Sequence, residues 1–115
     1  MPELKRLPAV FYALPSGKEP VREWLLEFDI QNRRTIGLDI ATAEFGWPVG
    51  MPVCKAMGGG LYEIRSNISS GRIARVLFCI EDGHMVLLHG FVKKTQKTPK
   101  SDLELGMQRM KEVKS

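Results

Sequence analysis

The residues best suited to chemistry lie in the second half of the chain. Two arginines, Arg65 and Arg75, occur in β-forming segments, and His89 and Phe91 follow in a third segment of this kind. A guanidinium binds phosphate through two parallel hydrogen bonds, an aromatic ring stacks on a base, and an imidazole transfers protons near neutral pH. Together these residue types suit metal-free cleavage of RNA, in which the 2′-OH attacks the neighbouring phosphate.

Basic charge is concentrated in the same part of the chain. Residues 1–60 hold 7 basic and 7 acidic side chains, whereas residues 61–115 hold 10 basic and 6 acidic ones. The segment 84–101 contains no acid, and its lysines are Lys93, Lys94, Lys97 and Lys100. Such a surface attracts nucleic acid, because cationic side chains displace counterions from phosphates. The alternative is an ordinary solvated basic loop.

Each of these residues also has an ordinary structural explanation. Arg75 could form an ion pair with Glu63, His89 could have a structural role beside Leu88, and Phe91 could belong to the core. The residue types alone are therefore compatible both with a buried structural network and with a catalytic cluster.

Composition and spacing argue against several other classes of protein. Cys54 and Cys79 lie far apart without a CxxC spacing, so we predict two buried free thiols rather than disulfides or a zinc site. Two histidines do not make a metal site, and the glycines at 58–60 lack the following helix of a nucleotide-binding loop. We predict no metal and no cofactor. The length of 115 residues indicates one domain, 1–115, and the absence of a secretory signal and of a long apolar run predicts a cytoplasmic protein.

Periodicity predicts an α+β fold in the order β-α-α-β-β-β-α. An apolar strand at 7–14 precedes a helix that Pro20 opens, and a second helix at about 33–45 completes a helical hairpin. The predicted strands of the second half are 61–66, 73–80 and 85–91, with a further short candidate at 53–57. A last helix begins at Ser101. We expect an antiparallel-dominated sheet that helices cover on one face.

The turn between the last two predicted strands decides which side chains share a face. With a two-residue Asp-Gly turn, His89 lies on the face opposite to Arg75. With a three-residue loop at 81–83, His89 lies on the same face as Arg75. We predict the three-residue loop, because it joins the apolar sides of both strands and pairs Arg75 with His89. This register leaves Arg75, His89 and Phe91 on an open face, with Arg65 beside them. An outward-facing Arg75 contributes little to stability, so Arg75→Ala is expected to leave the fold intact.

Three segments resemble the HigB-like branch of the RelE/ParE toxin superfamily, whose members belong to bacterial type II toxin–antitoxin modules. They are LYEIR at 61–65, RVLF at 75–78 and LLHGFVKKTQKTP at 87–99. The resemblance implies an endoribonuclease that enters the ribosomal A site and cuts mRNA there without a metal. The implied partners are the ribosome, mRNA and a cognate helix-turn-helix antitoxin. Operator DNA would be bound only through the antitoxin, and no membrane is involved.

The resemblance also implies roles for individual residues. Arg75 matches an arginine that contacts the scissile phosphate, and Arg65 matches the strand arginine beside it. The predicted catalytic residues are Arg65, Arg75, His89, Lys93 and Lys94. The predicted RNA-binding residues are Lys55, Phe91 and Lys97. The chain lacks the terminal tyrosine of some relatives, so the general base stays open among His89, Glu63 and a lysine.

Two other functions fit the same predicted fold. A ParE-like toxin inhibits DNA gyrase by binding, although such chains generally lack the combination of Arg75 with Lys93 and Lys94. A non-catalytic antitoxin or DNA-binding relative would bind only a partner or operator DNA. Cleaved mRNA is expected from the first function alone.

Overall fold

A computed structural model describes residues 4–93 and 97–115 of the chain. In chain order, the helices and strands are β1 Ala9–Phe11, α1 Pro20–Leu26, α2 Ile30–Gly46, β2 Cys54–Gly58, β3 Leu61–Asn67, a short 3-10 turn Ser69–Gly71, β4 Ile73–Glu81, β5 His84–Lys93 and α3 Lys100–Lys114. The fold is α+β, with two N-terminal helices, a mostly antiparallel sheet and a C-terminal helix, as predicted.

The described strands form a five-stranded sheet in the order β1-β5-β4-β3-β2. Strand β1 pairs with β5 in parallel, and the other neighbours are antiparallel. The short candidate strand is a full member of the sheet, because Cys54, Lys55 and Ala56 pair with β3. The predicted element order is therefore one strand too short.

Helices α1 and α2 pack on one face of the sheet and enclose the larger hydrophobic cluster. Pro20 occupies the first turn of α1, where its missing N–H costs no hydrogen bond. The Asp29 side chain caps α2 by accepting a hydrogen bond from the Asn32 backbone N–H at 2.9 Å. The apolar stripe of α2 is buried in this cluster, where the helix contacts β3, and its buried members are Ile36, Ile40 and Ala43.

The hairpin between β4 and β5 combines a two-residue turn with a β-bulge. Asp82 and Gly83 form the turn with φ values of 52° and 72°, so the predicted three-residue loop is wrong. Leu88 is the extra residue of the bulge and shifts the register. His89 therefore pairs with Leu77 and not, as predicted, with Arg75. The bulge returns the later residues of β5 to the face expected of them.

Helix α3 covers the face that the sequence predicts to be open. Gly106 lets α3 approach β4 closely, because an added Cβ would lie 2.6 Å from Leu77 Cδ1. Met110 joins Leu77, Leu88 and Phe91 in a second hydrophobic cluster. The prediction of an open face is wrong because α1 and α2 already cover the other face, which leaves this one for the apolar stripe of α3.

The two cysteines are free and buried, as predicted. Cys54 belongs to the larger cluster and Cys79 to the cluster under α3. Burial raises the pKa of Cys54 to about 11, so its thiol stays protonated and unreactive near neutral pH.

Across residues 4–93 and 97–115, no helix has the length and apolar character needed to cross a membrane.

Candidate functional site

Cross-strand pairing brings several predicted site residues onto the face that α3 covers. Arg65 on β3 lies opposite Arg75 on β4, which in turn lies opposite Phe91 on β5. In the neighbouring row, Glu63 on β3 and His89 on β5 flank the same residue of β4. Directly paired residues share a face of a sheet, so these five side chains project to one side.

Two arginines and one carboxylate form a buried ion network on this face. Glu63 Oε1 lies 2.7 Å from Arg65 Nε, and Glu63 Oε2 lies 4.0 Å from an Arg75 guanidinium nitrogen. The Glu63 and Arg75 side chains are 0% exposed, and the Arg65 side chain is 11% exposed. Two guanidinium groups thus share one carboxylate within this buried network.

Thr98 connects this network to the segment that precedes α3. Its hydroxyl donates a hydrogen bond to Glu63 Oε2 at 2.6 Å and accepts one from the Arg75 guanidinium at 3.3 Å. Sequence reasoning missed Thr98, because a lone threonine beside a basic run gives no signal of its partners.

Burial is the main electrostatic influence on Arg75. Burial lowers the pKa of the guanidinium. The Glu63 carboxylate acts in the opposite direction and raises this pKa, whereas the nearby Arg65 lowers it further. An arginine starts from so high a value that it keeps its charge at neutral pH. The Glu63 carboxylate is therefore what makes a charged Arg75 tolerable inside the protein.

His89 forms a second polar contact on the same face. Its Nε2 lies 2.7 Å from Asp102 Oδ1, in the first turn of α3. The imidazole also stacks on the Phe91 ring, with centroids 5.5 Å apart and planes at 22°. Sequence reasoning missed Asp102, although an acid in the first turn of the helix after a basic run was the available signal.

Three of the predicted lysines are exposed around this face. Lys93 ends β5 opposite Ile73, Lys55 lies on β2 opposite Glu63, and Lys97 lies in the segment before α3. Lys94, another predicted catalytic residue, lies outside the described residues.

Arg65 also lines an open cleft of about 210 Å³ at the end of the face. The other lining residues are Met51, Pro52, Asn67 and Ile73. This volume is below the roughly 300–1,000 Å³ of enclosed small-molecule pockets. The cleft therefore suits one part of an extended strand, such as a phosphate, better than a whole small molecule.

The described residues offer cationic and acid–base chemistry at this site. Arg65 and Lys93 can bind phosphate oxygens, and His89 can exchange protons, since part of its side chain reaches solvent. The Arg75 side chain has no exposed surface in this conformation. Among residues 4–93 and 97–115, no three His, Cys, Asp or Glu side chains are grouped so as to hold a metal ion.

A family model described as phage-derived protein Gp49-like (DUF891) matches residues 23–111, which is most of the chain and includes every candidate site residue. No sequence among curated proteins matches the chain.

Proposed function

The chain belongs to the phage-derived Gp49-like (DUF891) family, which is part of the RelE/HigB toxin-like group. From this premise we propose that it is a HigB-like toxin that cleaves mRNA in the ribosomal A site. The observation that carries the proposal is that the family match contains a face on which arginine, histidine and lysine side chains meet. A type II module supplies the setting, with a helix-turn-helix antitoxin as the neutralising partner. The protein then acts in the cytoplasm, needs no cofactor, and reaches operator DNA only through the antitoxin.

The proposed reaction uses charge rather than a metal. Arg65, at the cleft, binds the scissile phosphate, and Lys93 neutralises charge that develops on the phosphate or on the leaving oxygen. The ribosome orients the mRNA so that its 2′-OH attacks in line, which supplies much of the rate. The Phe91 ring is buried against His89 and supports the imidazole by packing on it. In this position the ring does not stack on a base.

Arg75 stays a predicted ligand of the scissile phosphate. A direct contact requires the groups that cover its side chain to move, because none of that side chain is exposed. In the described conformation it contributes positive potential and holds Glu63 in place.

The test is a cell-free translation reaction in which the 5′ ends of a reporter mRNA are mapped with and without ribosomes. Lys93→Ala is compared with Lys111→Ala, since Lys111 is also an exposed lysine and lies on α3. We expect wild type and Lys111→Ala to produce new ends inside translated codons, only with ribosomes, and Lys93→Ala to lose them. Intact mRNA with the wild type would overturn the proposal.

Burial of the central arginine supports a second candidate, a ParE-like inhibitor that binds DNA gyrase and cleaves nothing. A Glu63–Arg75 ion pair inside the protein is compatible with a purely structural role for both residues. If mRNA stays intact, inhibition of gyrase supercoiling by the purified protein would support this candidate. Normal supercoiling would leave a non-catalytic relative that binds only a partner.

A further inference from the structure

We propose that Asp102 is a positioning residue for His89, which it holds so that His89 Nδ1 accepts a proton during RNA cleavage. The inference rests on the proposed ribonuclease function and deepens it by naming the general base and the group that orients it. It selects His89 from the three kinds of residue that sequence reasoning left open.

The contact between the two side chains joins two different elements. His89 lies on β5 just after the bulge, and Asp102 lies in the first turn of α3. Nε2 and Oδ1 are 2.7 Å apart, a short distance typical of a charge-assisted hydrogen bond. The two side chains are 17% and 22% exposed, so both are held by packing while part of the imidazole remains accessible.

The acceptor identifies the ring nitrogen that carries the proton. An ionised carboxylate only accepts hydrogen bonds, so Nε2 must be the donor. In the neutral imidazole the other nitrogen, Nδ1, then has a lone pair. Within residues 4–93 and 97–115, Nδ1 makes no hydrogen bond, which leaves that lone pair for a substrate proton.

The imidazole also lies beside the arginine row. Phe91 is opposite Arg75, and His89 is two residues earlier on the same face, so His89 and Arg75 are diagonal neighbours about 7–8 Å apart at Cα. The Phe91 ring packs against the imidazole and fixes its plane. A phosphate held by Arg65 at the cleft would place an RNA strand along this face, on which the imidazole also lies.

In the proposed step, the 2′ oxygen forms a bond to phosphorus, the bond from phosphorus to the 5′ oxygen breaks, and the 2′ proton passes to His89 Nδ1. The leaving 5′ oxygen takes a proton from water. The products are a 2′,3′-cyclic phosphate and a 5′-hydroxyl, and the imidazolium then returns its proton to solvent.

Helix α3 is held against the sheet by other contacts besides the one between His89 and Asp102. The Arg109 guanidinium donates to the Leu88 carbonyl at 2.8 Å, and Lys114 Nζ donates to the Ile80 carbonyl at 2.8 Å. Gly106, about one turn before Arg109, packs on Leu77. A variant at Asp102 therefore keeps α3 in place, so a catalytic effect can be separated from unfolding.

The test compares Asp102→Asn, Asp102→Glu and the control Glu104→Gln, whose side chain is exposed on the same helix. Ribosome-dependent cleavage is measured as kcat and KM, and ¹⁵N NMR of the imidazole reports the tautomer of His89. We expect Asp102→Asn to lower kcat by about 10- to 100-fold with KM unchanged, since acid–base catalysis is worth roughly 10²–10⁴-fold and orientation only part of it. Its spectrum should show both tautomers, because an amide can also donate to Nε2. Asp102→Glu should recover part of the rate, and Glu104→Gln should match the wild type.

Several outcomes would overturn the inference. Wild-type cleavage with an unchanged kcat in Asp102→Asn would reduce Asp102 to a structural contact. A wild-type spectrum with the proton on Nδ1 would do the same, and needs no variant to fold. Absence of cleavage by the wild type would instead overturn the proposed ribonuclease itself, so the two failures are distinguishable.

Discussion

Arg75 is the residue whose role changes most between sequence and structure. A guanidinium with no exposed surface, paired with an equally buried Glu63, is part of the protein interior. Removing one partner of a buried ion pair leaves the other charge without compensation, at a cost of about 3–5 kcal/mol. The expectation that Arg75→Ala leaves the fold intact is therefore replaced.

We predict that Arg75→Ala lowers the free energy of unfolding by about 3–5 kcal/mol, measured by urea denaturation. Arg72→Ala is the matched control, because Arg72 is a half-buried arginine just before the same strand, bonds to Ser69 at the surface, and should lose about 1 kcal/mol or less. Equal stabilities for the two variants would contradict the buried network.

We predict that His89→Gln keeps the fold and loses cleavage. A glutamine amide can still donate a hydrogen bond to Asp102 but cannot accept a proton as imidazole does. Melting temperature and mRNA cleavage are measured on the same preparation. Full activity in this variant would remove His89 from the reaction.

At the scale of elements, the β4–β5 hairpin shows what a pattern can and cannot predict. Alternation assigns Arg75, His89 and Phe91 to one face, and the structure agrees. The turn and the bulge each shift the register by one residue, so their effects on the face cancel. No local signal marks the bulge at Leu88, since β5 is apolar on both sides and both faces are covered by helices.

Helix α3 is the element whose position the sequence left open. Its Leu103, Met107 and Met110 indicate an amphipathic helix, but they do not say which face of the sheet it covers. The glycine at position 106 is a sign of this packing, because a Cβ there would lie 2.6 Å from Leu77 Cδ1. Asp102 and Thr98 reach the site only once α3 and its preceding segment are in place.

We predict that Gly106→Ala is destabilising even though alanine is the better helix former. The added Cβ would lie 2.6 Å from Leu77 Cδ1, so α3 or Leu77 must shift, at a cost of about 1–3 kcal/mol. Gly37→Ala on α2 is the control, since nothing lies within 4 Å of that Cβ and a gain of about 0.5–1 kcal/mol is expected. Thermal unfolding of both variants checks the sign, and a stabilised Gly106→Ala would contradict the close packing.

At the scale of the whole molecule, one sheet separates two hydrophobic clusters. Phe78 points into the larger cluster under α1 and α2, whereas Leu77 and Cys79 point into the one under α3. Because neighbouring residues of one strand serve both clusters, we propose that the chain unfolds as a single unit.

We predict that Phe78→Ala costs about 3–5 kcal/mol, because its ring is fully buried beside Trp47 and Tyr62. Unfolding followed by tryptophan fluorescence and by far-UV circular dichroism should give coincident transitions in wild type and variant. Separate transitions would show that the two clusters unfold independently.

The parallel pairing of β1 with β5 has a consequence for synthesis on the ribosome. Ala9 pairs with Met85, 76 positions later, so β1 emerges long before its partner strand exists. The face that contains Arg65, Arg75 and His89 also forms late, because it needs β3, β4, β5 and α3. A nascent chain therefore lacks the assembled face until synthesis has passed α3.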